Sequence, residues 1–367
     1  MILFKKEDLT GHEAKFKTTK AHPNTWANYT AQYEYLLRHL NQTALKTNYQ
    51  LNIKSYPYLF LLRHFCELKF KTILNDRQID FGRKHELPLL IDMLGDVPEH
   101  LNKAIAHIDL DRDGSCYRYF FDKYGNLTPV CKMEKKVLPF YQEQTGIPAD
   151  SIYNWTLGIV PPYKKMLPWE FTFHFNEIGN QAQLRSTYDE VTDYVLKGVI
   201  SDDIDINEVY LPLLFLLRHS VELVLKDSLK ELIHTQDEQT IKKVKRLIDN
   251  EHKLSPLFKA FLAILPDDVS GLPEEMQEQY HNFLVQSDRM KSALHTLDNN
   301  SRYFRFPYDI DQEHPMGLPA EALYHIISDF LETDGFLTFC TSVLKDYNII
   351  RYSDDEIAMM MGYDPLL

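Results

Sequence analysis

Glycine is scarce in this chain, 13 residues of 367. No Gly-rich phosphate loop, Gly-x-Ser-x-Gly elbow or His-Glu-x-x-His pair occurs, which removes the common nucleotide, hydrolase and zinc-protease signatures. Cysteine is scarcer still. Cys66, Cys116, Cys131 and Cys340 form no Cys-x-x-Cys pair, so neither a zinc knuckle nor a disulfide framework is indicated, and reduced thiols in a cytoplasmic protein are expected. Positive charge is also in deficit. A formal net charge of −13 repels an extended polyanion, so no extended duplex-DNA surface is expected, although a local basic pocket remains open. Long apolar runs are missing too. Leu211 to Leu217 is closed by Arg218 and His219, well short of the roughly twenty residues needed to span a bilayer. The N-terminus turns charged at Lys5 and Lys6, too early for a secretion signal. No membrane partner is expected.

What the chain has in quantity is aromatic side chains, with 22 Tyr and 21 Phe, which suit packed helices. Its length matches about two domains. An internal repeat supports that division. Residues 57–74 (Pro-Tyr-Leu-Phe-Leu-Leu-Arg-His-Phe-Cys-Glu-Leu-Lys-Phe-Lys-Thr-Ile-Leu) align without a gap on residues 212–229, with 11 of 18 positions identical. Two further blocks recur in the same order. His85-Glu-Leu-Pro-Leu-Leu echoes His252-Lys-Leu-Ser-Pro-Leu, and residues 110–122 around Arg118 align with residues 297–309 around Arg305. Each copy is preceded by a helix-like approach segment, Thr25 to Thr47 and Asn180 to Leu196. Between the copies, residues 127–168 hold six prolines, which break long helices and mark a connector. After the second copy, Pro319 to Tyr347 reads as another packed helix.

These patterns predict a mainly α chain of two tandem helical-bundle domains, each with a short extended or β-hairpin segment. The expected boundaries are 1–126 and 169–350, with the connector at 127–168 and an acidic, Met-rich tail at 351–367. The hairpin expectation rests on Tyr117 to Thr128, which alternates in strand fashion around Gly125-Asn126. In the second copy, Pro307 favours an irregular extended segment.

The repeated central helix carries the chemistry. At 100° per residue, Arg218, Glu222 and Lys226 fall within about 80° of one another, with His219 on the border of the stripe. Leu214, Leu217, Val221, Val224 and Leu225 occupy the other directions, so the helix is expected inside its bundle with its charges in need of partners. Arg63, His64, Glu67 and Lys71 repeat the arrangement. One reading is an intrahelical ion ladder that knits the bundle. The other is a site in which Arg holds a phosphate or carboxylate through its planar fork while His or Glu handles protons. Arg118 and Arg305 either add positive charge to such a site or pair with Asp111 and Asp298. His85 and His252 stand where helices begin, as caps, hydrogen-bonded anchors or site residues. Asp109-Leu-Asp-Arg-Asp-Gly114 imitates a calcium loop but has Phe120 where a bidentate Glu is required, so no metal is expected.

Taken together, Leu-Leu-Arg-His-x-x-Glu-Leu-x-x-Lys, His-x-Leu and the Arg118 and Arg305 blocks resemble the HEPN superfamily. The resemblance covers most of both halves. It implies helical bundles that often pair, in toxin and antiphage-defence proteins whose active members are metal-independent endoribonucleases with an Arg-x4–6-His motif on the central helix. Arg218-His219 looks like the start of that motif, but Leu223, Val224 and Leu225 stand where its His belongs, as do Leu68, Lys69 and Phe70 in the first copy. Literal matches at Arg246/His252 and Arg289/His295 do not recur in the first half.

The functional expectation is therefore a HEPN-like protein that binds RNA or a nucleotide, with metal-independent RNA cleavage by a variant Arg-His-Glu site. No cofactor is implied. The catalytic candidates are Arg63, His64, Glu67, Arg218, His219 and Glu222. The substrate-binding candidates are Lys71, Lys226, Arg118, Arg305, His85 and His252. The alternative is a noncatalytic interaction subunit with a protein partner or a homodimer.

Overall fold

The computed structural model describes residues 4–18, 24–47, 55–95, 117–119, 181–234, 236–299, 304–308, 323–352 and 357. Among them are nine α-helices and no β-strand. The helices are α1 (Trp26–Thr47), α2 (Ser55–Asp76), α3 (Leu87–Leu94), α4 (Gln181–Ile200), α5 (Tyr210–Ile233), α6 (Glu238–Asn250), α7 (Leu254–Ile264), α8 (Glu274–Asn299) and α9 (Leu323–Asp346). Residues 117–119 and 304–308 form turns and a bend with an isolated bridge at Tyr308, not strands. Residues 120–128 of the expected hairpin, the connector at 127–168 and the Asp109–Gly114 loop lie outside the described residues, as does the tail apart from Arg351, Tyr352 and Ile357. No described helix is long and apolar enough to cross a membrane.

The approach and central helices of the two copies share one register. Residues 26 and 181 open α1 and α4, residues 55 and 210 open α2 and α5, and both pairs are offset by 155. The approach helices bury matching stripes, Tyr29, Tyr33, Leu36 and Leu40 on α1 against Leu184, Tyr188, Val191 and Val195 on α4. These positions recur at helical spacing, which is why a segment with so many polar residues still packs. The central helices are buried nearly all round, and Leu61, Leu62, Phe65 and Leu68 on α2 are fully covered.

Local signals set the helix ends. Thr25 Oγ1 accepts from Asn28 N–H at the start of α1 (3.2 Å). The buried Gln32 side chain on α1 accepts from Leu211 N–H (3.0 Å), satisfying one of the orphan donors at the start of α5. Gln78, at φ 58°, closes α2 with Ile79 N–H bonded to Leu74 O, and Asn348, at φ 57°, closes α9 in the same way with Ile349 bonded to Leu344. At the end of α4, Ile204 lies so close to Gly198 that an added Cβ would come within 2.6 Å of its Cδ1. That position admits no side chain without a shift.

The chain divides into two compact units that do not follow the repeat boundaries. One comprises Met1–Leu9, Arg218–Asn299 and His325–Leu367, and the other Thr10–Leu217 and Asn300–Tyr324. In the second unit, α2 packs on α1, α3 and α4. In the first, α7 packs on α6 and α8, and Phe258, Phe261 and Phe283 surround Phe336 with ring centroids 4.8–6.4 Å away.

Within the unit of Thr10–Leu217 and Asn300–Tyr324, the copies exchange their closing segments. Tyr33 on α1 donates its hydroxyl to Phe304 O (2.8 Å), a residue of the second copy's last block. Tyr188 on α4, the counterpart of Tyr33, donates to Tyr117 O (2.7 Å), the counterpart of Phe304 in the first copy. Phe60 stacks on its own counterpart Phe215, with centroids 4.6 Å apart and planes at 15°. A residue that meets its own equivalent, flanked by reciprocal contacts, is the signature of an isologous interface, here formed inside one chain.

Candidate functional site

Each central helix projects a Glu that collects basic groups, and the two clusters match atom for atom. In the first, Arg63 Nη1 donates to Glu67 Oε2 (2.6 Å) and Lys71 Nζ to Glu67 Oε1 (2.7 Å). His85, from the turn before α3, meets the same Oε1 through Nδ1 (2.8 Å), and its carbonyl accepts from Arg63 Nη2 (2.5 Å). In the second, Arg218 Nη1 reaches Glu222 Oε2 (3.3 Å) and Lys226 Nζ lies 3.4 Å from Glu222 Oε1. His252, before α7, meets Glu222 Oε1 through Nδ1 (2.9 Å), and its carbonyl accepts from Arg218 Nη2 (2.7 Å). The i, i+4 spacing of Arg, Glu and Lys brings three charges together on one face. The His-x-Leu block supplies a fourth group from outside the helix.

His85 and His252 are thus anchors rather than caps. The N-cap positions of α3 and α7 are Glu86 and Lys253, neither with a side-chain capping bond. An ionised carboxylate only accepts, so each imidazole donates from Nδ1 to its Glu, and a neutral ring then carries its acceptor at Nε2. Burial pushes the carboxyls of Glu67 and Glu222 up. Lys71, His85 and Arg63 outweigh it around Glu67, and Lys226, His219, His252 and Arg218 around Glu222, holding both well below the usual carboxylate range.

The clusters differ in access. Glu67 and Glu222 are both 1% exposed. The Arg63 and His85 side chains are 2% and 28% exposed, whereas those of Arg218 and His252 are 12% and 57% exposed. Aromatic rings explain the sealing of the first cluster. Lys71 Nζ lies 4.8 Å from the Phe306 centroid, 5.6 Å from Trp26 and 5.8 Å from Phe81, and Phe306 also stands 5.5 Å from the His85 ring.

His64 and His219 border the clusters with Nδ1 3.9 and 3.8 Å from the carboxylates of Glu67 and Glu222. His64 Nε2 donates to Arg305 O (3.1 Å), which leaves its Nδ1 unprotonated. Burial, against the pull of Glu67, brings its pKa down to about 3, so the ring stays neutral at physiological pH. Tyr33, Phe60 and Phe306 enclose the ring, which is 2% exposed.

Arg118 and Arg305 belong to the exchanged segments. The Arg118 guanidinium lies 5.7 Å from the Phe60 ring and 5.1 Å from Tyr119, and that of Arg305 is 5.6 Å from Phe306. The expected pairing with Asp111 and with the Asp298 side chain falls outside what the structure describes. Among the described residues, no group of three or more His, Cys, Asp or Glu side chains is placed to hold a metal ion.

Sequence reasoning missed Trp26 and Phe81 as covers of the first cluster. It also missed the partnership of Tyr33 and Tyr188 with the closing segments. The signal for the latter was present, since the two tyrosines are identical residues at the 155-residue offset that relates the central helices. Of the literal Arg-x4–6-His matches, Arg289 is tied into an ion pair with Glu332, whereas Arg246 stands exposed on α6. No protein-family model, curated protein or solved structure matches the chain.

Proposed function

We propose that this is a HEPN-like protein of the defence- or toxin-associated kind that binds RNA or a nucleotide through its second repeat, and that His252, held by Glu222, handles protons there. The observation that carries the reading is a buried carboxylate 2.9 Å from Nδ1 of an imidazole that is itself more than half exposed, beside the Arg218 guanidinium. A carboxylate on Nδ1 fixes the tautomer and stabilises the imidazolium, which leaves Nε2 to act as the base.

Cleavage of RNA without a metal requires a base for the 2′-hydroxyl, an acid for the leaving oxygen and a cation for the charge that develops on phosphorus. Glu222, buried and held in its ionised form by four basic groups, is too weak a base and too enclosed for the first role. His252 fits it better, and the imidazolium formed when it takes the 2′-hydroxyl proton returns that proton to the leaving 5′-oxygen. Proton transfer to a positioned group contributes about 10²–10⁴-fold in rate. Arg218 supplies a planar, permanently charged fork for the phosphate. The assay is incubation of purified protein with mixed RNA in the presence of EDTA. Arg218→Ala and His252→Ala should abolish the products, while Arg63→Ala material that remains folded should retain them. Equal products from wild type and both second-repeat variants sink the cleavage reading.

The first repeat favours a second reading, a noncatalytic interaction subunit, because its cluster is enclosed and fully paired within the fold. On that reading Glu222→Gln lowers thermal stability and leaves any RNA affinity unchanged. RNA affinity that vanishes with the substitution counts against it.

A further inference from the structure

Helix α6 concentrates positive charge in an otherwise acidic chain. From Glu238 to Lys253 there are five cations (Lys242, Lys243, Lys245, Arg246 and Lys253) and three carboxylates (Glu238, Asp249 and Glu251), against −13 for the whole protein. The carboxylates are partly spoken for. Glu251 Oε1 accepts from His252 N–H (3.0 Å) and Lys253 N–H (2.9 Å). Burial lowers the pKa of Lys230, and Asp249, with Asp227, lies close enough to oppose that shift. All five cations are exposed, and none forms an ion pair with a carboxylate among the described residues.

A basic amphipathic helix also suits a membrane surface, but that use needs a free apolar face. Here Val244 and Ile248 are buried in the unit's own core, so the stripe that would enter a bilayer is occupied. What remains outward is a groove of about 550 Å³, lined by Lys242, Lys243 and Arg246 together with Gln239, Leu247, Asn250 and Glu251, whose carboxylate is engaged by the backbone N–H groups of His252 and Lys253. Lys242 and Arg246 are one turn apart, about 6 Å along the axis. So short a row can engage only a few phosphates, which favours a flexible single strand over a rigid duplex. Beyond Arg246 the helix runs one more turn to Asn250, and two residues later the chain reaches His252. That path is at most about 13 Å, a rise of about 6 Å plus two residues of extended chain.

We propose that the outer face of α6 is the docking track for the phosphate backbone of single-stranded RNA and delivers the strand to the Arg218–His252 site. The inference rests on the reading of that site as an RNA site. It adds the route, the polarity of the surface and the reason why only the second repeat is used: the first copy has no counterpart to this cationic helix among its described residues.

The test is fluorescence anisotropy with a labelled, unstructured 20-nucleotide RNA across a salt series. The proteins are wild type, the triple variant K242A/K243A/R246A, and a control triple, K17A/K84A/K197A, that removes the same charge from exposed sites elsewhere. Circular dichroism confirms that each is folded. Single-strand binding scales as about −0.7 log units per phosphate contact in a log–log salt plot, so the α6 triple should flatten the slope by about 2 and weaken binding at least tenfold at low salt. The control triple should do neither.

Equal losses in both triples, or an unchanged slope in the α6 triple, overturn the track while leaving the site reading intact, provided that R218A and H252A still impair binding. Absence of RNA binding by wild type overturns both. Displacement of the RNA by polyglutamate but not by unlabelled RNA assigns the face to an acidic protein partner. Displacement by millimolar ATP or inorganic polyphosphate at full effect shows that a short phosphate chain suffices. Either result overturns the RNA-strand assignment.

Discussion

Replacing Glu67 by Gln is the sharpest perturbation of the duplicated clusters. The substitution keeps the shape of the side chain and removes its charge, leaving Arg63 and Lys71 buried at 2% exposure without the carboxylate that lies 2.6 and 2.7 Å from them. Removing one partner from a buried pair costs about 3–5 kcal/mol, because the remaining charge is neither solvated nor compensated. At about 2 °C per kcal/mol for a chain of this size, the melting temperature should fall by roughly 6–10 °C. Glu222→Gln should cost less, since its cations stand further off at 3.3 and 3.4 Å and Arg218 and His252 reach water. Differential scanning calorimetry at pH 7 compares the two. Sign matters for the pH series: the Glu67 carboxyl is held well below its ordinary value, so its contribution is complete above about pH 4.3 and is lost as pH falls through the folded-state value. The deficit of Glu67→Gln should therefore shrink only in acid. The triple replacement Arg63→Met, Glu67→Leu, Lys71→Met should be milder than Glu67→Gln alone, because it removes the stranded charges together with their partner. A single variant as stable as wild type, or one more stable than the triple, would refute the reasoning.

Three further outcomes can be checked. His64 has its pKa lowered from 6.5 to about 3, so folding opposes its protonation; on the order of 5 kcal/mol of stability, present above pH 6.5, drains away as pH falls toward 3. His64→Gln should flatten the acid limb of a denaturant-midpoint titration between those values, and an unchanged limb would contradict the burial argument. Tyr33→Phe and Tyr188→Phe each leave one buried carbonyl without its donor and should each cost about 1–3 kcal/mol in urea unfolding. Unequal costs would show that the exchange is not symmetric in energy. Gly198→Ala drives a methyl into Ile204 and should destabilise by about 1–3 kcal/mol, with Ile204→Ala in the same chain restoring part of the loss.

The repeat of central helices was legible because eleven identities fall on a gapless stretch, and its polar stripe because helical spacing fixes which residues share a face. The Glu-centred network was half visible: Arg, Glu and Lys follow from i, i+4 geometry, whereas His85 and His252 arrive from a separate turn that periodicity does not encode. The enclosure of the His64 imidazole, by contrast, was not legible. Nothing in a linear pattern shows that Phe306, more than two hundred positions downstream, closes over that imidazole. The unequal exposure of Arg63 and Arg218 was equally hidden, since both sit in the same Leu-Leu-Arg-His context and differ only in what the rest of the fold lays on top of them.

The crossed tyrosine bonds have a bearing on biosynthesis. A ribosome that has completed the first repeat has not yet made Phe304, so Tyr33 and His64 must wait for a segment translated 271 and 241 residues after them. An early stop codon upstream of that segment would strand the leading half as well as delete the trailing one, and proteolytic trimming there would be felt some 270 residues away.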